Sequence, residues 1–119
     1  MEGMRKGPKV SVFMITFNNE RTVEKALASV QWADEIVVVD SFSTDQTVEI
    51  CQRFTPKVFQ RKWTGHRDQY QYASDLTTNE WIMFVDADEE VPPDLAEEIR
   101  KQLDGGTEGA DGFFVYRQT

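Results

Sequence analysis

Short apolar runs alternate along this chain with segments whose apolar residues recur every three or four positions. Val10 to Ile15 reads as a first strand, and Val23, Ala26, Leu27 and Val30 then place an apolar stripe along a first helix. Ile36-Val37-Val38-Val39, enclosed by Glu35 and Asp40, is a continuous apolar run of the kind found in parallel strands covered on both faces. Ser43 or Thr44 is expected to cap the next helix, with Gln46 as the capping-box partner of Ser43 and with Val48, Cys51 and Phe54 as its buried stripe. A short strand near Val58-Phe59, a helix suggested by Tyr70, Ala73 and Thr77, and a strand from Trp81 to Val85 follow. Leu95, Ile99 and Leu103 predict a last helix, with Pro92-Pro93-Asp94 at its start, Arg100 and Lys101 at its end, and Gly105-Gly106 to stop it. Phe113-Phe114-Val115-Tyr116 predicts one more strand.

Strand and helix in strict alternation mark βαβ units, so the fold class expected is α/β, a mostly parallel sheet with helices on both faces. Residues 1–8 are expected to form a flexible lead-in and residues 9–119 the folded unit. A strand begun at Phe113 leaves little chain before Thr119, so the sequence is expected to stop after the N-terminal half of its domain.

In a parallel sheet the C-terminal tips of the strands share one edge, where such sheets hold ligands. Three tips here are polar: Thr16-Phe17-Asn18-Asn19-Glu20, Asp40-Ser41-Phe42-Ser43-Thr44-Asp45 and Asp86-Ala87-Asp88. Amide and carboxylate oxygens suit the N–H groups of a base and the hydroxyls of a ribose. Two aspartates one residue apart can share a hard divalent cation, which completes its shell with water and nucleotide phosphate oxygens. Each tip also has a plain structural role open to it: Asn18 or Asn19 can cap a helix, Asp40 can close a strand, and an acidic run can cap the helix after it. For the last of these, Pro92-Pro93-Asp94 already start that helix, which leaves Asp86 and Asp88 too early to serve only as its cap. Neither a Gly-x-x-x-x-Gly-Lys loop nor a Gly-x-Gly-x-x-Gly fingerprint is present, so backbone cradling of phosphate is not the device.

Charge sharpens this picture. A formal net charge of -8 argues against nucleic acid or an anionic membrane surface recognised by charge, and in a diphosphate binder it calls for a cation to bridge the two acidic partners. The single cysteine, Cys51, on the expected face of a helix, reads as a buried reduced thiol in a cytoplasmic protein. No apolar stretch approaches the roughly 20 residues that a membrane span needs. His66, the one histidine, has a side chain that titrates near neutrality, but a lone loop histidine is commonly just solvated, and no role is assigned to it, to Trp63 or to Tyr70.

Val10 to Glu20, Glu35 to Thr47 and Asp86-Ala87-Asp88, in that order and at these spacings, resemble glycosyltransferase family 2. The resemblance implies a Rossmann-like GT-A fold, a nucleoside-diphosphate sugar donor such as a UDP-sugar, a Mg²⁺ or Mn²⁺ ion, and inverting transfer to a glycan or lipid-linked acceptor, with the full-length protein at the inner face of a membrane. Ser41 stands where the family more usually has the second aspartate of Val-Asp-Asp-x-Ser. With Gly65-His66-Arg67-Asp68-Gln69 and Asp86-Ala87-Asp88-Glu89, the chain is similar to the branch of lipopolysaccharide-core glucosyltransferases. Carried over by position, Thr16, Asn18 and Glu20 line base and ribose and Asp40 contacts the nucleoside with Ser41 beside it, while Arg67, before the fourth strand, either reaches the diphosphate or is a plain surface charge. Asp86 goes to the ribose or a metal-bound water, and Asp88 to the metal. The catalytic base of the family is a carboxylate of the second half, so it is expected beyond Thr119, and the chain alone is expected to bind donor without turning it over. Two other readings stay in view: a haloacid-dehalogenase-type phosphatase, whose Asp-x-Asp stands on the first strand, and a non-catalytic nucleotide-binding module.

Overall fold

A computed structural model describes residues 8–104. The strand expected at Phe113–Tyr116, the Gly105-Gly106 stop and residues 1–7 of the lead-in lie outside them. The elements in chain order are β1 (Val10–Thr16), α1 (Val23–Ala28), β2 (Glu35–Asp40), α2 (Thr47–Gln52), β3 (Val58–Gln60), α3 (His66–Leu76), β4 (Trp81–Phe84) and α4 (Pro93–Asp104). The strands form one sheet in the order β3-β2-β1-β4, and every pairing is parallel. The chain therefore steps outward from β1 to β3, then crosses back to place β4 on the far side of β1. That reversal puts the switch point, at which open α/β sheets bind ligands, between the C-terminal ends of β1 and β4.

Alternation along the strands decides which helix covers which face. Val10, Val12 and Met14 of β1, Ile36 and Val38 of β2, and Trp81 and Met83 of β4 pack with Val23, Ala26 and Leu27 of α1, Ile50 and Cys51 of α2, and Ile99 and Leu103 of α4. Residues of opposite parity, Phe13, Val37, Val39 and Phe84, pack with Ala73, Tyr70 and Leu76 of α3 on the other face. There the Phe13 ring meets Tyr70 at 5.0 Å and Phe84 at 5.4 Å, so Tyr70 belongs to the core. All six residues of β2 are buried, as its unbroken apolar run requires.

The helix after β2 departs from expectation. It begins at Thr47, with Gln46 at its N-cap and no side-chain cap, because Ser43 and Thr44 are drawn into other bonds described below. Asp45 takes over locally, accepting from the Thr47 amide at 2.9 Å and the Thr47 hydroxyl at 2.5 Å. Its buried face is Thr47, Ile50 and Cys51, so Cys51 is buried as expected, whereas Val48 is half-buried and Phe54, also half-buried, lies past the helix end. The Cys51 thiol, wholly enclosed, is pushed up to about 12 by burial and by the nearby charge of Asp40, so it is no nucleophile at neutral pH.

At the opposite end of the sheet, one carboxylate staples four segments. Glu35 accepts from the Ser11 hydroxyl at 2.5 Å, from the Thr78 amide at 2.9 Å and from Lys57, with which it forms an ion pair. Burial pushes this carboxyl up, but the bonds from Lys57, Ser11 and Thr78 outweigh burial and hold it below the ordinary glutamate value. A depressed value means stability that is present above the unfolded glutamate pKa, near 4.3, and lost as pH falls through the folded one. Glu35→Gln should thus destabilise the fold by about 1–3 kcal/mol at pH 7, with the gap to the parent closing at pH 3. Urea denaturation of both proteins at the two pH values checks it.

Candidate functional site

The tips of β1 and β2 are laced into one unit. Thr16 lies beside Asp40 in the β1–β2 register, and its hydroxyl donates to Asp40 Oδ1 at 2.6 Å. The Ser43 hydroxyl donates to the same oxygen at 2.6 Å, and the Ser43 amide to Oδ2 at 2.7 Å. Asn18, at a positive φ of 52° that asparagine tolerates, donates its amide to Ser43 Oγ at 2.7 Å and accepts from the Thr44 amide at 2.8 Å. Glu20 accepts from the Gln46 amide at 3.0 Å, and its own amide donates to Asp45 at 3.2 Å. The side chains expected from the sequence are thus brought together, in two layers. Thr16 and Asp40 lie below the surface and hold the loops, whereas Asn18 and Glu20 are exposed.

The third tip is a turn closed on itself. Glu89 donates its amide to the Asp86 carbonyl at 3.0 Å, and its buried carboxylate accepts from the Asp86 amide at 3.0 Å. Glu89 closes the candidate site, a role that the sequence reading did not assign to it, although its spacing of three from Asp86 is the reciprocal spacing of a capping box. The Val91 amide, donating to Ser29 Oγ at 2.9 Å, ties the turn to α1. Asp86 is half-buried and Asp88 exposed. Among the described residues no three His, Cys, Asp or Glu side chains form a ready cation cluster. A pair of hard oxygen donors is nevertheless the set that suits Mg²⁺ or Mn²⁺, which keep waters and take phosphate oxygens for the rest of the shell.

Beyond these lies an aromatic pocket that the sequence reading did not foresee. Phe17 after β1, Ser41 and Phe42 after β2, and Lys62 and Trp63 after β3 line an open space of about 650 Å³. Large aromatics exposed amid small polar residues were the available signal: Phe17 is 56% exposed and Phe42 59%. Phe42 adopts φ 58°, a left-handed conformation that costs a residue with a β-carbon about 1–2 kcal/mol. Ser41 donates its hydroxyl to the Arg61 carbonyl at 3.2 Å and also lines this pocket. Arg67 is exposed in the first turn of α3, at the tip edge of the sheet. Gln69, wholly buried, bonds the Arg61 carbonyl and guanidinium, so its work is to hold the loop before α3. His66 is exposed, its ring 6.4 Å from that of Trp63.

A parallel α/β sheet with polar strand tips at its switch point and a paired-aspartate turn after β4 is an arrangement in which open α/β sheets can hold a ligand at that edge. The pattern of the glycosyl transferase family 2 domain matches residues 11–119, and the chain belongs to that family. An uncharacterized glycosyltransferase of Rickettsia bellii is 44% identical over 92 residues, 76% of this chain and 31% of the relative. The lipopolysaccharide core biosynthesis glycosyltransferase LpsC of Rhizobium meliloti is 31% identical over 99 residues, 79% of this chain and 37% of LpsC. Among solved structures, S. aureus TarS 1-349 superposes with a TM-score of 0.70 at 28% identity, over 82% of this chain and 32% of TarS. The same protein in complex with UDP-GlcNAc gives 0.66 at 27% identity, over 82% and 31%. The fold is that of the GT-A glycosyltransferases, and the chain spans about a third of the length of the curated relatives it matches. The phosphatase reading would need Asp-x-Asp after the first strand, whereas here it follows the fourth.

Asp40→Ala should destabilise the fold by about 2–4 kcal/mol, because it leaves the Thr16 hydroxyl and the Ser43 amide and hydroxyl without their acceptor. Asp88→Ala, at an exposed turn, should shift stability by less than about 0.5 kcal/mol. Chemical denaturation of the two variants beside the parent measures the contrast.

Proposed function

We propose that this chain is the donor-binding part of a metal-dependent, inverting glycosyltransferase that moves a sugar from a UDP-sugar to a glycan or lipopolysaccharide-type acceptor. The observation that carries the reading is the meeting, at one edge of the sheet, of the laced β1–β2 tips and the Asp86–Glu89 turn. The likeness to TarS, crystallised with UDP-GlcNAc, supports a UDP-sugar as donor. LpsC as a relative supports an envelope glycan as acceptor.

In this reading Asn18 and Glu20 face the nucleoside from the rim, Thr16 and Asp40 hold that rim in place, and Ser41 borders the base. Asp86 serves the ribose or a metal-bound water, Asp88 holds the metal, and Arg67 neutralises the diphosphate from the start of α3. A divalent cation, which Asp88 would hold, would supply Lewis-acid stabilisation of charge on the departing diphosphate when bound. The acceptor hydroxyl attacks the anomeric carbon as the bond to the β-phosphate oxygen breaks, which inverts the centre. Its proton goes to a carboxylate that we place in the part of the relatives' length this chain does not span. Among the described residues no helix is long and apolar enough to cross a membrane. We place the enzyme in the cytoplasm, at the inner face of a membrane that holds the acceptor.

UDP should bind with Mn²⁺ or Mg²⁺ present and not with a chelator, because without a cation the diphosphate meets the carboxylates of the turn directly. Asp88→Asn should weaken metal-supported binding at least about 10-fold, the lower end of what losing even an outer partner of a metal site costs. Its melting temperature should hold. Titration calorimetry with UDP, with and without chelator, decides: equal affinity in both conditions would overturn the metal bridge.

A further inference from the structure

Phe42 holds a conformation that its own residue type opposes. Its backbone lies at φ 58°, and its ring, more than half exposed, has little packing to offset the strain. The conformation is imposed from both sides. The Phe42 amide donates to Gln60 Oε1 at 2.8 Å, the Ser41 amide before it donates to the Thr16 carbonyl at 3.0 Å, and the Ser43 amide after it donates to Asp40 at 2.7 Å. Three strand ends thus cooperate to hold an aromatic ring toward solvent. Strained backbone that its surroundings over-determine in this way concentrates where ligands are clamped.

Topology says which part of a ligand the ring would meet. The aromatic pocket is built on the tips of β1, β2 and β3, whereas the aspartate turn follows β4 at the other end of the order β3-β2-β1-β4. From β2 to β4 is two strand spacings, about 10 Å. A nucleoside diphosphate whose phosphates lie at Asp86 and Asp88 therefore extends its base over β1 toward β2. The transferred sugar and its acceptor continue on the β4 side, away from Phe42. Among the described residues no ring contact joins Phe17, Phe42 and Trp63, so the rings border a slot rather than filling it. A planar base fits such a space, and its π-faces stack on aromatic side chains.

We infer that Phe42 is a nucleobase-binding residue of the donor site, its ring held in a left-handed turn to stack on the base of the nucleoside diphosphate. The inference rests on the donor-site reading above. The test compares the parent, Phe42→Gly and Phe42→Trp for affinity toward UDP and toward inorganic pyrophosphate, each with Mn²⁺, together with their melting temperatures. Phe42→Gly should bind UDP about 5- to 100-fold more weakly, the range that loss of one base–aromatic stack gives. Its pyrophosphate affinity should not change, and its melting temperature should hold or rise, since glycine adopts this φ without strain. Phe42→Trp should keep UDP affinity within a few-fold of the parent. Unchanged UDP binding by Phe42→Gly would overturn the inference while leaving the donor site standing. An equal loss of UDP and pyrophosphate would also overturn it, by showing that Phe42 acts through the fold of the loop. If the parent itself binds neither UDP nor pyrophosphate, the donor-site reading fails and this inference fails with it.

Discussion

A carboxylate sealed from water turns two separate strand ends into one surface. Asp40, enclosed at the end of β2, accepts from Thr16 across the sheet and from both the amide and the hydroxyl of Ser43 in its own loop. A buried charge is tolerable only when its lone pairs are satisfied, so these donors are obligatory once Asp40 is inside. The bonds fix where Ser43 stands, and Ser43 in turn fixes Asn18 through its amide. Parallel strands hold their tips side by side, but nothing in sheet geometry alone would join the loops that leave them.

The rim therefore has two mechanically different parts. The β1–β2 part is cross-bonded over many residues, from Phe17 to Thr47. The part after β4 is a single turn, closed by the two bonds between Asp86 and Glu89 and anchored through Val91 to α1. A ligand that touches both parts would span a fixed wall and an independently supported carboxylate pair, whose positions are set by separate side chains.

Much of this was legible in the sequence, for reasons that can be named. The apolar runs at Ile36–Val39 and Val10–Ile15 depend only on both faces of the strands being covered, and such runs report that directly. The polar tips were legible because parallel topology gathers strand ends whatever the loops do. The start of α2 was not, since Ser43 is a good cap in isolation and only the placement of Asp40 and Asn18 draws it away. Gln69 enters the sequence only as the end of the Gly65 to Gln69 stretch, and nothing there shows that the loop after β3 folds over it and buries it. Phe42 was least legible of all: nothing in local preference places phenylalanine at a positive φ, and the bonds that do so come from Gln60 and Asp40, distant or indirect in the chain.

Cys51 lies beneath this rim, the only thiol in the chain and wholly enclosed on α2. Because it is wholly enclosed, an alkylating reagent meets it only when α2 lifts from the sheet. Lifting α2 also parts the Thr47 hydroxyl from the Asn19 amide, a bond that joins the two loops. The native cysteine is thus a built-in clock for the opening of the rim: its labelling rate reads the local opening free energy under native conditions, and whatever clamps the loops slows that clock in proportion to its occupancy.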